Sequence, residues 1–230
     1  MPRTSESGSE GGSARHVRRV FVDPEAPQSD AIQEAATWIR RGGVTAIPTD
    51  TLYGLAANPF DTNAVARVFQ VKGRLPDQAL PLIASDLAQV ARHIAPLSPT
   101  AERLITRFWP GPLTLLLHAP ATLASRVTAG TGRVGVRVPA DAVARCVCAA
   151  VGHPITATSA NLSGEPATAD PDVVERTLGP ALDFLLDAGT ATGGAPSTIV
   201  DVSDGDAEPV LIRSGAIPWE EIRQWLQQRG

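Results

Sequence analysis

Residues 134–161, VGVRVPADAVARCVCAAVGHPITATSAN, decide the fold. VGVRVP (134–139) alternates valine with glycine or arginine and stops at Pro139, so it reads as a strand. DAVARCVCAAVG (141–152) is too long and apolar for a second strand and reads as a buried helix. PITATSA (154–160) is again a strand, running into small polar residues. A strand, a helix and a strand in immediate succession form the unit of a sheet with helices packed on it.

The same alternation continues outward. Upstream, VRRVFV (17–22), VTAIPT (44–49), LPLIAS (80–85) and LTLLLH (113–118) read as strands. The stretches from Ser29 to Gly42, from Asp61 to Gly73, and over 85–94 and 98–109 read as helices. Ser29 or Asp30 starts the first of these and Gly42 ends it, and Asp61 or Thr62 starts the second. Downstream, Asp170 and Pro171 mark a helix start by cap and N1 proline. DFLLDAG, STIVDV and PVLIRSG are strands, and PWEEIRQWLQQRG closes the chain as a helix. We therefore expect an α/β domain over 17–230: a twisted, partly parallel mixed sheet with helices packed on it. Residues 1–16 are rich in Ser and Gly and predict a disordered tail.

Hydrophobic residues make up 43% of the 230, enough for a sizeable core. A net charge of -4 gives no bulk basic field for nucleic acid, so any anion site must be local. Cys146 and Cys148 stand as C-x-C with no second pair, and the four histidines are scattered, so no metal site is expected. Cysteine used as a small apolar residue fits a reducing, cytoplasmic compartment. No apolar run is long enough to span a membrane, and the N-terminus lacks the apolar segment of a secretory signal.

GTGRVG (130–135) fits G-x-G-x-x-G, but its last glycine sits inside a strand rather than opening a helix, so no nicotinamide site is expected. No P-loop and no G-x-S-x-G elbow occur.

Four stretches place polar or basic residues at strand ends, where ligands bind on open α/β sheets. In VKGRLPD, Lys72 is the only lysine; the other nineteen basic side chains are arginine. Lys72 and Arg74 can converge on a phosphate, or they can be solvated charges at a helix C-terminus. Arginine would serve on a solvated face, so a retained lysine points to a place where a planar guanidinium does not fit. Ser159 and Asn161 at the end of PITATSAN can bind phosphate or ribose, or form an Asx-turn. Thr49, Asp50 and Thr51 follow a buried strand beside Tyr53, the only tyrosine; capping is the ordinary account of them. In VGVRVP, the three valines share one face and leave Arg137 on the other, where it needs a counter-charge that a ligand carboxylate would supply.

Taken in order, PTDTLYGLAANPFD, KGR followed by PD, FWPGPLTLLL, VGVRVP, TSANLSGEPAT, STIVD and LIRSGAI resemble the YrdC-like family, the threonylcarbamoyl-AMP synthases, from about residue 17 to the end. The family signature is K-x-R followed by S-x-N, here Lys72-Gly73-Arg74 and Ser159-Ala160-Asn161. The resemblance implies a sheet with a concave basic face. It implies synthesis of L-threonylcarbamoyladenylate and pyrophosphate from L-threonine, bicarbonate and ATP. The product would go to a tRNA threonylcarbamoyl transferase complex that modifies the adenosine beside the anticodon. It implies that Lys72 and Arg74 are catalytic, that these two with Ser159, Asn161 and Arg213 handle ATP, and that Thr49, Arg137 and Ser197 handle threonine. Mg²⁺ would arrive with ATP, without dedicated protein ligands. The family often has Pro after K-x-R and Asn-Pro-Leu soon after; here Leu75 and Gln78-Ala79-Leu80 stand instead. The competing reading is a non-catalytic module for double-stranded RNA or tRNA, against which the net charge of -4 argues.

Overall fold

The computed structural model describes residues 16–27, 29–73, 78–94, 96–205 and 207–228. The tail up to residue 15, and Arg74, lie outside the described residues. In chain order the elements are β1 (Arg18–Phe21), α1 (Ser29–Arg40), β2 (Thr45–Ile47), β3 (Gly54–Ala56), α2 (Thr62–Lys72), β4 (Leu82–Ile83), α3 (Leu87–His93), α4 (Pro99–Phe108) and β5 (Leu113–His118). Then come β6 (Arg133–Arg137), α5 (Ala142–Val151), β7 (Ile155–Thr156), β8 (Thr158–Ser159), α6 (Pro171–Leu178), β9 (Phe184–Asp187), β10 (Thr198–Asp201), β11 (Val210–Arg213) and α7 (Trp219–Gln227).

The strands form two mixed sheets rather than the one sheet expected. The first has the order β1-β9-β2-β3-β8 and the second β11-β10-β5-β6-β4-β7. Pairs β1/β9, β2/β9, β5/β10 and β4/β6 are parallel; the other pairs are antiparallel. The division falls inside PITATSA. Thr156 pairs with Leu82 in the second sheet, whereas Thr158 pairs with Leu55 in the first. Ala157 lies between, its N–H donating to Pro81 O at 2.9 Å. A strand that changes partners leaves backbone groups unmatched. The fully buried Thr156 supplies the partners: its hydroxyl accepts from Ala57 N at 2.9 Å and donates to Leu55 O at 3.1 Å. Alternation of hydrophobicity cannot show this switch, because both halves of the segment are apolar strand.

Along β5 and β6 the period of two sorts the side chains. Leu113, Leu115, Leu117, Val134 and Val136 enter the main core. Thr114 and Arg137 stand on the opposite face, the floor of a cleft. A second core lies under α1 and α5. There Ala31, Ile32, Ala35, Ala36 and Ile39 meet Val143, Ala144, Val147, Cys148 and Val151. Alanines let these helices approach closely, and each large side chain buried between them contributes about 1.5–3 kcal/mol. Packing of this kind outweighs the few tenths of a kcal/mol that propensity adds per residue. The helix of the two cysteines is amphipathic rather than buried throughout: Cys148 is buried and Cys146 exposed. Positions two apart on a helix lie on nearly opposite faces, so both cannot point inward.

Two local stops bound the helix that carries Lys72. Asp61 caps α2 by accepting from Asn63 N at 2.8 Å and Ala64 N at 3.3 Å. Gly73 ends it in the left-handed conformation at φ 59°, which fixes Lys72 as the last helical residue. GTGRVG runs from a turn into β6, and no helix opens at Gly135.

Candidate active site

A cleft of about 410 Å³ opens where the two sheets meet. Its lining comes from β3 and β8 of the first sheet and from β4, β5, β6, β10 and β11 of the second. Thr49, Arg137, Ser159, Ser197 and Arg213, which lie far apart in sequence, all line it. Lys72 and Asn161 are not among its lining residues, and Arg74 lies outside the described residues.

Arg137 ends β6 with its side chain 12% exposed, and its Nη1 is 2.9 Å from Asp50 Oδ2. Burial pulls its pKa down; the carboxylates of Asp50 and Asp141 pull it up, and Arg213 pushes it down again. The counter-charge expected of a strand arginine is therefore already present within the chain, from Asp50. The sequence reads Asp50 as a cap, because nothing local shows that the turn after β2 folds back onto β6. Asp50 Oδ1 accepts from Asp141 N at 2.7 Å, which ties that turn to the start of α5. Asp141 caps α5 through Ala144 N at 2.7 Å, and burial raises its carboxyl pKa despite that bond.

Ser197 precedes β10 and sits 2.8 Å, Oγ to Oγ1, from Thr114. Arg213, exposed at the end of β11, donates from Nη2 to Ser197 O at 2.8 Å and to Ser197 Oγ at 3.3 Å. Gly215 makes this approach possible. A Cβ there would stand 2.3 Å from Pro196 O and 2.4 Å from Ser197 C, closer than any side chain tolerates. Ala216 N then donates to Pro196 O at 2.8 Å, closing the chain over Ser197. Thr114 and Gly215 lie within FWPGPLTLLL and LIRSGAI, and membership of those stretches is the one signal in the sequence that could point to them.

At the other end, Lys72 is 3% exposed. Its Nζ donates to Ser159 O at 2.7 Å, Asn161 O at 3.1 Å and Asn161 Oδ1 at 3.2 Å. Its own carbonyl accepts from Ser163 N at 2.8 Å. Ser159 Oγ donates to Asn161 Oδ1 at 2.5 Å, and Asn161 Nδ2 holds Leu162 O and Glu165 O at 2.9 and 2.6 Å. Lys72 and the S-x-N turn thus meet in space across 87 residues, with the lysine tucked beneath the turn that carries Ser159. A compact ammonium serves acceptors converging from one turn; a flat guanidinium cannot.

Thr49 Oγ1 donates to Leu52 O at 2.7 Å, and its N–H goes to the same carbonyl at 3.1 Å, which fixes the turn bearing Asp50. Among the described residues no histidine, cysteine or carboxylate lines the cleft, so it presents arginine and hydroxyl groups without a nucleophile–base pair. Likewise no cluster of three or more His, Cys, Asp or Glu gathers among the described residues. No helix among them is long and apolar enough to cross a membrane.

Fold and cleft together define an α/β domain with a cleft lined by arginine and hydroxyl groups where two mixed sheets meet. The chain belongs to the Sua5/YciO/YrdC family: the family profile, described as Telomere recombination, matches residues 37–215. It is 38% identical over 193 residues to the threonylcarbamoyl-AMP synthase of Pyrococcus abyssi, covering 84% of this chain and 56% of that one. It is 35% identical over 174 residues to that of Nitrosococcus oceani, covering 76% of this chain and 94% of that one. The crystal structure of P. abyssi Sua5 complexed with L-threonine superposes with a TM-score of 0.84 at 36% identity, over 91% of this chain and 61% of that one. The chain thus spans little more than half the length of the Pyrococcus relative.

Proposed function

We propose that the chain is a threonylcarbamoyl-AMP synthase, converting L-threonine, bicarbonate and ATP to L-threonylcarbamoyladenylate and pyrophosphate for tRNA modification. One observation carries this reading: a single cleft is lined both by Thr49, Arg137 and Ser197, the residues expected for threonine, and by Ser159 and Arg213, two of the five expected for ATP. The names of the relatives and the threonine bound to P. abyssi Sua5 support it.

Arg137 clamps the threonine carboxylate, and Ser197 and Thr49 hold the rest of the amino acid. The threonine amine adds to bicarbonate, loses water and becomes an N-carboxylate. An oxygen of that carboxylate attacks the α-phosphorus of ATP, and pyrophosphate leaves. Catalysis rests on positioning and charge neutralisation rather than on a protein nucleophile, as the lining of the cleft allows. Arg213 and the Lys72-supported turn serve the nucleotide end, and Arg74 belongs to the same proposal. Mg²⁺ carried in with the triphosphate would neutralise phosphate charge. A cytoplasmic location and transfer of the product to a tRNA threonylcarbamoyl transferase complex complete the proposal.

The test is pyrophosphate release with each substrate omitted in turn. Release should require threonine and bicarbonate together. Release from ATP and threonine in bicarbonate-free buffer would contradict the mechanism and point to simple amino-acid adenylation.

A further inference from the structure

We propose that Asp50 is the positioning residue that aims Arg137 into the cleft, so that carboxylate recognition there depends on a side chain that does not itself line the cleft. This rests on the reading of Arg137 as the carboxylate clamp.

The two side chains are 12% and 16% exposed, so neither charge is well solvated. A buried guanidinium without a counter-charge is costly and would swing toward water. Asp50 prevents this from a fixed position. Its Oδ1 is anchored on Asp141 N at 2.7 Å, at the capped start of α5. Its backbone carbonyl accepts the Thr192 hydroxyl, and the turn that carries it is closed by Thr49. The other oxygen, Oδ2, lies 2.9 Å from Arg137 Nη1 yet accepts no hydrogen bond. Charge rather than an aligned N–H holds the pair, so the N–H groups of the guanidinium are turned elsewhere. Among the described residues no other acceptor holds them, and Arg137 lines the cleft. Guanidinium N–H groups offered in this way match the paired oxygens of a carboxylate.

The charged groups acting on Arg137 are Asp50, Asp141 and Arg213. Of the two carboxylates, Asp50 makes the close contact. The pair can work in two opposite ways. Asp50 can hold Arg137 ready for the ligand, or it can occupy Arg137 and compete with the ligand carboxylate. The missing hydrogen bond at Oδ2 favours the first, since a competitor would take the N–H groups for itself.

The experiment uses the full chain and calorimetric titration with L-threonine and, separately, ATP. Asp50→Asn keeps the size and the acceptor for Asp141 N but removes the charge. Threonine should bind roughly 10- to 100-fold more weakly, the range seen when a supporting partner behind a ligand-binding group is removed. ATP affinity should be unchanged. In an Arg137→Ala background, Asp50→Asn should weaken threonine no further, a non-additivity that a general structural role would not produce. Asp50→Glu, which keeps the charge, should recover part of the affinity. If Asp50→Asn does not fold, Asp50→Glu takes its place: its loss must likewise vanish once Arg137 is gone. Threonine binding as tight as wild type or tighter in Asp50→Asn overturns the proposal, as do equal losses for both ligands. If Arg137→Ala weakens threonine but Asp50→Asn does not, this proposal alone falls. If Arg137→Ala leaves threonine binding intact, the clamp reading falls and this proposal with it.

Discussion

Beneath the turn that brings Ser159 to one end of the cleft, Lys72 is 3% exposed and its ammonium reaches backbone and amide oxygens of that turn. At the other end Arg137, also largely buried, faces a carboxylate that takes none of its N–H groups in an aligned bond. Lys72 ends a helix and Arg137 ends a strand, and both are largely buried cations, yet their donors meet different partners. The lysine holds protein to protein and shapes the turn that presents Ser159. The arginine is oriented by protein and presented to the cleft. Burial alone does not tell a cation whose donors are taken up by the protein from one whose donors stay open to a cleft; the direction of the donors does.

The largest effect expected is at Lys72. Lys72→Arg should be nearly as damaging as Lys72→Ala, because a planar fork cannot serve three acceptors converging from one turn. Loss of a charge-assisted contact of ~2–3 kcal/mol would lower turnover roughly 30- to 150-fold. Pyrophosphate release by the two variants checks this. A Lys72→Arg enzyme with most of its activity would erase the distinction between the two ends.

Arg137→Ala comes next and sharpens the comparison by ligand. Threonine affinity should fall by ~2–3 kcal/mol, the lower part of the cost of truncating one side of a buried charge pair, with ATP much less affected. Calorimetry with each ligand decides, and equal losses would assign Arg137 to the nucleotide.

Tyr53 follows the turn that bears Asp50. It is fully buried, its carbonyl accepts Ala160 N beside Ser159, and its hydroxyl donates to Gly189 O at 2.7 Å and accepts from Ala188 N at 3.0 Å. Burial pushes the phenol pKa up, so it stays neutral. Tyr53→Phe leaves two part-buried backbone groups unmatched and should cost ~1–3 kcal/mol of stability by denaturant titration. Affinity for both ligands should drop together, unlike the split at Arg137.

The smallest effect lies away from the cleft. His153 packs edge-on against Phe60 at 5.3 Å, and burial lowers its pKa below the ordinary 6.5. The unfolded chain therefore binds the proton more readily than the folded one. Stability is fully present above about pH 6.5 and falls as pH drops below it. Denaturant midpoints between pH 7 and pH 5 should decline less in His153→Gln, with the ligand preferences of the two ends unchanged.

Much of this architecture is legible in the sequence. Valine alternation in 134–138 puts Arg137 on the face away from the core, and strand-end reasoning picks out Ser159. What is not legible depends on partners distant in the chain. The division into two sheets turns on the Thr156 hydroxyl bridging Leu55 and Ala57, and the role of Asp50 on a contact with Arg137 in β6. A lysine at a helix C-terminus ordinarily reads as solvated; only the return of 159–163 over it shows the burial. Arg74 remains an expectation from sequence.

The central claim is that one cleft joins threonine, bicarbonate and ATP in a single condensation. Its most direct measurement is incorporation of isotopically labelled bicarbonate, followed alongside pyrophosphate. Labelled carbon should appear in a product that contains both threonine and AMP, one label for each pyrophosphate released. Pyrophosphate released without label in the product, or an adenylylated protein seen by intact mass, would contradict it.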